Sequence, residues 1–325
     1  MSALVVVNPT ARAGELGKAW PELEKTVLEA VGEKRVHVAF TTPVDHGSNL
    51  VRAALQSGVR KIVVVGGDGT ISEAIQGFFD GDRTVTREAV LAILPAGRGD
   101  DFFKSVCGDT KKSTAWENGL RLLARGSMKR TDLGKVEFVS KTGITAKRYF
   151  INVASFGYPG LVVKRVLNEE GIIGRSKLGK GSLAYFAQSV IALGSYKPVS
   201  TKIIIDDEEV HNGGIFSGFI LNGRYNASGI CWCNQASVDD GFFHVSIFKP
   251  RSILRSLADT RNMKSGNWEG VEGVSLHRGK NIQVFLPENQ TVSHPLCEVD
   301  GDIPEPADTI RVSFSIIEGG LLLLR

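Results

Sequence analysis

Four short stretches carry residue types whose spacing suits chemistry. The first is Gly66-Gly67-Asp68-Gly69-Thr70, which follows the apolar run Lys61–Val65 and precedes a helical pattern through Ile71, Ala74, Ile75 and Phe78. Glycines let backbone N–H groups approach an oxyanion without a Cβ in the way, and the helix N-terminus behind them adds positive dipole. That combination predicts a phosphate site. Asp68 would repel a phosphate unless a cation or ribose hydroxyls stand between them, so it predicts Mg²⁺ or a hydroxyl partner nearby. Thr70 offers a hydroxyl or a helix cap. The pentapeptide is neither G-x-G-x-x-G nor a Walker A sequence.

The second stretch is Leu94-Pro95-Ala96-Gly97-Arg98-Gly99-Asp100-Asp101-Phe102, again after an apolar strand pattern. The third is Asp239-Asp240-Gly241, and the fourth is Val299-Asp300-Gly301-Asp302. Phosphoryl transfer needs positioning, charge neutralisation and a base near the acceptor hydroxyl. A carboxylate serves as that base. An i, i+2 spacing on an extended segment predicts Asp300 and Asp302 on one side. The competing reading is a polar turn at a strand end, because Asp-Gly is a common turn dipeptide.

The elements around these stretches fall into two textures. Up to about residue 125, strand and helix patterns alternate: Ala3–Val7, Leu16–Val31, Arg35–Phe40, Gly47–Gln56, Lys61–Val65, Val90–Leu94 and a helix near Ser113–Ala124. Continuous apolar strands separated by helices predict a parallel sheet covered on both faces. Beyond Gly126, strand patterns separated by polar turns predict an antiparallel sandwich. They run over Lys135–Val139, Tyr149–Val153, Thr201–Ile205, Ile215–Leu221, Phe242–Phe248, Ile282–Leu286 and Thr309–Ile316. Helical inserts are expected near Gly160–Asn168 and Ser182–Leu193, with another at Ser252–Met263. The predicted domains are residues 1–128, an α/β unit, and 129–317, a β-rich unit. Residues 318–325 are expected to pack back on the first.

The whole chain has 325 residues, 42% hydrophobic and 23% charged, with a formal net charge of +4. That composition argues against wholesale disorder. The charge excess is too small to imply nucleic-acid binding. No apolar stretch of about 18 residues is present, so no transmembrane segment is expected. The four cysteines, Cys107, Cys231, Cys233 and Cys297, lack zinc spacing and read as free thiols of a reducing compartment. The six histidines show no i, i+4 pair and read as ordinary. Gly171–Gly181, glycine-rich with Arg175, Lys177 and Lys180, reads either as a solvated loop or as a basic loop at a membrane surface. The apolar face of Ser182–Tyr196 reads as core or as the wall of a lipid pocket.

The ordered series of motifs resembles the superfamily of diacylglycerol kinases, sphingosine kinases, NAD kinases and phosphofructokinases, through Gly66–Thr70. Asn8-Pro9 and the stretch Leu94–Phe102, similar to "LPxGTxNDF", resemble its lipid-kinase branch. So do Asp132-Leu133-Gly134, Phe150-Ile151-Asn152 through Gly157, Asn222-Gly223, Gly229, Asp239-Asp240-Gly241 and Asp300-Gly301-Asp302. The fold that the resemblance implies is an NAD kinase/phosphofructokinase-like α/β domain plus a C-terminal antiparallel β-sandwich with helical inserts.

The resemblance also implies roles. Asn8, Thr41, Gly66, Gly67, Asp68, Gly69, Thr70, Glu73, Arg98 and Asp101 would hold ATP, with Asp100 and Asp101 at the interdomain cleft. Asp300 and Asp302 would activate the lipid hydroxyl. Ser237, Asp240 and Phe242 would hold a structural Mg²⁺, Asp240 through its carboxylate and the other two through backbone carbonyls. Three positions depart from the pattern: Arg98 stands where the family has Thr, Asp100 where it has Asn, and Asp302 where it has Glu. The expected activity is transfer of the ATP γ-phosphate to a lipid hydroxyl by a cytoplasmic protein that visits the membrane surface. A homodimer is compatible with this reading. Alternatives are a small-molecule kinase of the NAD kinase type and a nucleotide- or lipid-binding sensor without turnover.

Overall fold

The structure is a computed structural model that describes residues 2–43, 46–108, 112–173, 193–194, 196–250, 259–286, 297–306 and 308–325. Near the N-terminus, β1 (Ser2–Val7), β2 (Arg35–Phe40), β3 (Lys61–Gly66) and β6 (Val90–Pro95) form a parallel array in the order β2-β1-β3-β6. A small hairpin, β4 (Phe79–Asp80) and β5 (Arg83–Thr84), precedes β6. Period-two alternation splits the strand side chains between two layers. Leu4, Val6, Ile62 and Val64 pack with Val51 and Leu55 of α2 (Gly47–Gln56) and with Ile71, Ala74 and Ile75 of α3 (Asp68–Gln76). Val5, Val7, Val63 and Val65 pack with Leu16, Trp20 and Val27 of α1 (Glu15–Val31). Leu123 of α5 (Ala115–Arg125), which follows α4 (Asp101–Cys107), joins that second layer. Each fully buried Val, Leu or Ile contributes about 1.5–3 kcal/mol, which is why continuous apolar strands settle between two helical layers.

The rest of the chain builds a sandwich. Its strands are β7 (Met128–Ser140), β8 (Thr145–Phe150), β9 (Val153–Gly157), β10 (Val199–Ile205), β11 (Glu208–Ile215), β12 (Ser217–Leu221), the hairpin β13 (Tyr225–Asn226)–β14 (Ile230–Cys231), β15 (Phe243–Phe248), β16 (Val274–Gly279), β17 (Asn281–Phe285), β18 (Cys297–Val299) and β19 (Thr309–Leu324). Helix α6 (Tyr158–Ile173) follows β9, where an insert was expected, and the short helix Thr260–Ser265 overlaps the end of the expected Ser252–Met263 helix, whose residues 252–258 lie outside the described residues. The expected helix at Ser182–Leu193 and the glycine-rich stretch Gly171–Gly181 lie largely outside the described residues. One sheet runs β16-β15-β12-β9-β18. It packs Ala154, Phe156, Ile220, Phe243 and Val245 against Val136, Phe138, Phe150, Val312 and Phe314 of the other sheet.

That other sheet is continuous with the parallel array. Strand β19 pairs antiparallel with β17 and β7, then parallel with β6 through Leu322↔Val90 and Leu323↔Leu91. An irregularity between Ile317 and Leu321, with Gly319 at φ 55°, lets one strand serve both arrays. The Asp132 carboxylate closes this bend by accepting the Gly319 N–H at 2.7 Å and the Gly241 N–H at 2.8 Å.

Helix α3 also ties the two halves together. The Gln76 side chain donates to the Tyr149 carbonyl (2.7 Å) and accepts the Tyr149 N–H (3.1 Å), behaving as an extra strand rung on β8. Phe79 stacks on the Tyr149 ring at 3.6 Å between centroids.

Candidate functional site

The glycine loop after β3 meets the loop after β6 face to face. A Cβ on Gly67 would stand 2.8 Å from the Gly97 Cα, so both positions require glycine for the loops to touch. The Ala96 N–H donates to the Gly66 carbonyl at 2.8 Å. Gly69 is different: a Cβ there would meet nothing within 4 Å, so the first turn of α3 presents an open side. Asn8 reaches in from the end of β1 and donates from Nδ2 to the Thr70 hydroxyl at 2.9 Å. Thr41 lies beside it, its N–H on the Val7 carbonyl at 2.9 Å. Glu73, a turn further along α3, faces His46 at 3.5 Å. Arg98 is exposed at the tip of its loop, and Arg12 donates from Nε to the Gly97 carbonyl at 3.2 Å.

Asp68 has a partner other than the one its residue type suggested. Its carboxylate accepts the N–H groups of Asp101 (3.1 Å) and Phe102 (2.9 Å), the free donors at the start of α4. Burial, with the nearby Asp101 and Asp100 charges, pushes its pKa up to about 7 against those two hydrogen bonds. Asp100 takes a left-handed conformation (φ 51°) and accepts the Gly97 N–H at 2.7 Å, so the carboxyl that replaces the expected Asn closes its own loop. Asp101, also buried, accepts the Ser228 N–H at 2.8 Å and pairs with Lys104 at 3.3 Å. It therefore joins α4 to the β13–β14 hairpin.

Asp300 and Asp302 do not lie on an extended segment. Val299 and Asp302 exchange backbone hydrogen bonds (2.8 and 3.0 Å), and Asp300 and Gly301 have φ of 49° and 85°. Positive φ at both central residues is the pattern of a tight hairpin turn, which Asp-Gly favours. The extended-segment expectation fails because local turn chemistry wins over strand alternation at this dipeptide. As a result the two carboxylates face different partners. Asp300 accepts three N–H groups, from Ile151 (3.0 Å), Asn152 (3.1 Å) and Val153 (3.0 Å). Burial raises its pKa against those bonds and against the Arg148 charge. Asp302 is half exposed and lies 3.1 Å from the Arg148 guanidinium.

Arg148 is the residue that brings the two loops together. From β8 its terminal nitrogen also reaches the Ser72 hydroxyl on α3 at 3.3 Å. Ser72 stands two residues after Thr70. Helix α3, just beyond the glycine loop, and the acidic turn thus share one guanidinium, whose Nε is buried with no hydrogen-bond partner. No motif marked Arg148, and its role depends on the docking of α3 on β8.

Glu298 is a second residue that sequence reading missed. It is 2% exposed and accepts the Ser155 hydroxyl (2.5 Å) and the Gly301 N–H (2.8 Å), with Asn226 at 3.4 Å. Burial pushes its pKa up to about 7; the hydrogen bonds oppose this and the Asp300 charge adds to it. Its spacing two residues before Asp300 on a strand was the available signal. Two motif asparagines hold the same corner: Asn152 donates to the Tyr225 carbonyl (2.9 Å), and Asn222 donates to the carbonyls of Asp132 (2.9 Å) and Ile151 (2.6 Å).

The Ser237–Phe242 loop was expected to hold Mg²⁺. Here Asp240 Oδ1 accepts the Phe242 N–H at 3.1 Å, while Oδ2 lies 3.0 Å from His244 Nε2 and 3.3 Å from Arg278. His244, read as ordinary, is thus an i+4 partner of Asp240. The Ser237 hydroxyl donates to Asp239 at 2.6 Å. Both oxygens of Asp240 thus already have partners within the protein, Oδ1 a backbone N–H and Oδ2 two cationic or imidazole side chains. Among the described residues no group of three or more His, Cys, Asp or Glu side chains is arranged to hold a metal ion. No helix among them is long and apolar enough to cross a membrane. The four cysteines are free.

Residues 2–136 match the diacylglycerol kinase catalytic domain. Residues 156–318 match the YegS C-terminal NAD kinase beta sandwich-like domain. Among curated relatives, a diacylglycerol kinase of Mycobacterium tuberculosis is 25% identical over 277 residues, covering 85% of this chain and 80% of the relative. A protein of Enterobacter sp. (strain 638) named "Probable lipid kinase YegS-like" is 25% identical over 317 residues, covering 96% and 92%. Among solved structures, a diacylglycerol kinase from Bacillus anthracis superposes with a TM-score of 0.68 at 17% identity, covering 99% of this chain and 96% of that one. Yeast NADH kinase superposes with a TM-score of 0.51 at 12% identity, covering 100% and 83%. The two structures share the fold.

Proposed function

The chain belongs to the diacylglycerol kinase-like family of lipid kinases, and from that premise we propose that it transfers the γ-phosphate of ATP to a hydroxyl of a membrane lipid. Support comes above all from the Arg148 bridge, which joins Ser72, two residues beyond the glycine loop on α3, to Asp302 of the acidic turn.

In this reading the nucleotide phosphates lie over the open side of Gly69, against the N-terminus of α3. Mg²⁺ enters with ATP as part of the substrate. Asn8, Thr41, Thr70 and Glu73 line the nucleotide side, and Arg98 and Asp101 line the mouth of the cleft. The lipid hydroxyl enters beside Asp300. Three N–H donors fix that carboxylate and leave lone-pair capacity on Oδ2, which accepts one of them. Asp300 takes the hydroxyl proton as the oxygen attacks the γ-phosphorus and ADP leaves. Asp302 holds Arg148 in place. The guanidinium balances charge on the transferred group, the main contribution a protein makes to phosphoryl transfer. The acceptor is proposed at the level of a lipid hydroxyl, such as that of diacylglycerol or a sphingoid base, met at the membrane surface.

The test is ADP release from ATP with mixed micelles carrying a panel of lipid alcohols, and with NAD as a separate acceptor. Release that depends on a lipid and exceeds that of Asp68→Asn is expected. Stimulation by NAD alone, or equal release by the variant with every lipid, would refute the proposal.

A further inference from the structure

The loop after Ala236 carries two neighbouring carboxylates, and each already has a guanidinium. Asp239 pairs with Arg325 at 2.5 Å, and Asp240 lies 3.3 Å from Arg278. His244 and Arg278 stand directly opposite each other across β15 and β16, and both reach the same oxygen of Asp240. His244 is buried, and its other ring nitrogen faces the Cys233 thiol at 3.8 Å. The Arg278 guanidinium also lies 3.8 Å over the Phe242 ring, and Lys280 lies 5.0 Å from that ring. Phe242 is one of the residues expected to offer Mg²⁺ a carbonyl.

Mg²⁺ gives up its waters reluctantly and demands near-octahedral oxygen ligands. A loop whose carboxylates are already neutralised by fixed cations offers it little electrostatic gain. An arginine stacked on an aromatic ring is weakly hydrated and keeps its charge at every working pH. We propose that Arg278 and His244 stand in for the divalent cation at the Asp240 loop, and that this loop closes without binding metal. The inference does not depend on the kinase reading.

The test is thermal melting of the nucleotide-free full chain in EDTA and in millimolar Mg²⁺. Wild type and Asp240→Asn are expected to respond to Mg²⁺ alike. Arg278→Met, which keeps an apolar cover over Phe242, is expected to melt about 2 °C lower in EDTA and to recover part of that loss in Mg²⁺, because its freed carboxylate can then bind metal. A Mg²⁺ stabilisation present in wild type and missing in Asp240→Asn would overturn the proposal. Should a variant fail to fold, Mn²⁺ decides on wild type alone. A paramagnetic ion at Asp240 would erase the NMR signals of the adjacent His244 ring, whereas unbroadened signals uphold the proposal.

Discussion

The guanidinium of Arg148 lies 3.1 Å from the Asp302 carboxylate and belongs at once to the acidic turn and, through Ser72, to the helix behind the glycine loop. A cation shared by a turn and a helix that are more than two hundred residues apart in sequence has an evident use where negative charge is handed across the gap between them.

Arg148→Met is therefore expected to lower kcat about a hundredfold, the usual scale for removing one charge-stabilising donor, with ATP affinity changed far less. Arg148→Lys keeps the charge but loses the planar fork, so only part of the activity should return. Steady-state kinetics on folded variants checks this. An Arg148→Met enzyme with wild-type kcat would remove the arginine from the reaction.

Gly67 and Gly69 stand two residues apart and should behave oppositely. Gly67→Ala places a methyl 2.8 Å from the Gly97 backbone, so the expected result is a destabilised chain, by about 1–3 kcal/mol. Gly69→Ala meets nothing within 4 Å and should melt as wild type does. If phosphates occupy that open side, the same methyl weakens ATP binding tenfold or more. Calorimetric titration with ATP reads the second effect directly; unchanged affinity in Gly69→Ala would place the phosphates elsewhere.

Glu298 predicts a pH dependence of stability. Its pKa in the folded chain, about 7, lies above the ordinary 4.5. The fold therefore favours the protonated acid. Its stabilising contribution is complete below about pH 4.5 and fades as pH rises through 7. The change is on the order of 3 kcal/mol. Glu298→Gln cannot ionise, so its melting temperature relative to wild type should rise between pH 5 and pH 8. A difference that stays constant across that range would contradict the assignment.

Much of this architecture is legible in the residues themselves. Lys61–Val65 and Val90–Leu94 are apolar on both faces, and that alone demands helices above and below. The glycines after them mark where two loops must touch. The Asp-Gly dipeptide at 300 also signals its turn, and that turn chemistry outweighs the strand alternation that predicts both carboxylates on one side. Arg148 and Glu298 could not be read in this way. Their partners, Ser72 with Asp302 and Ser155 with Gly301, are brought in by strand pairing and helix docking between distant segments. The Asp240 loop shows the same dependence, since its cations arrive from β15 and β16 and only their cross-strand register puts them on one oxygen.

In the proposed reaction Asp300 faces the acceptor while the glycine loop holds the nucleotide. The most direct measurement is a single-turnover assay of Asp300→Asn with a lipid alcohol in micelles, alongside ATP affinity measured separately. Phosphoryl transfer is expected to fall by about a hundredfold or more, with ATP affinity within twofold of wild type. Transfer at the wild-type rate in a folded Asp300→Asn chain would contradict the account.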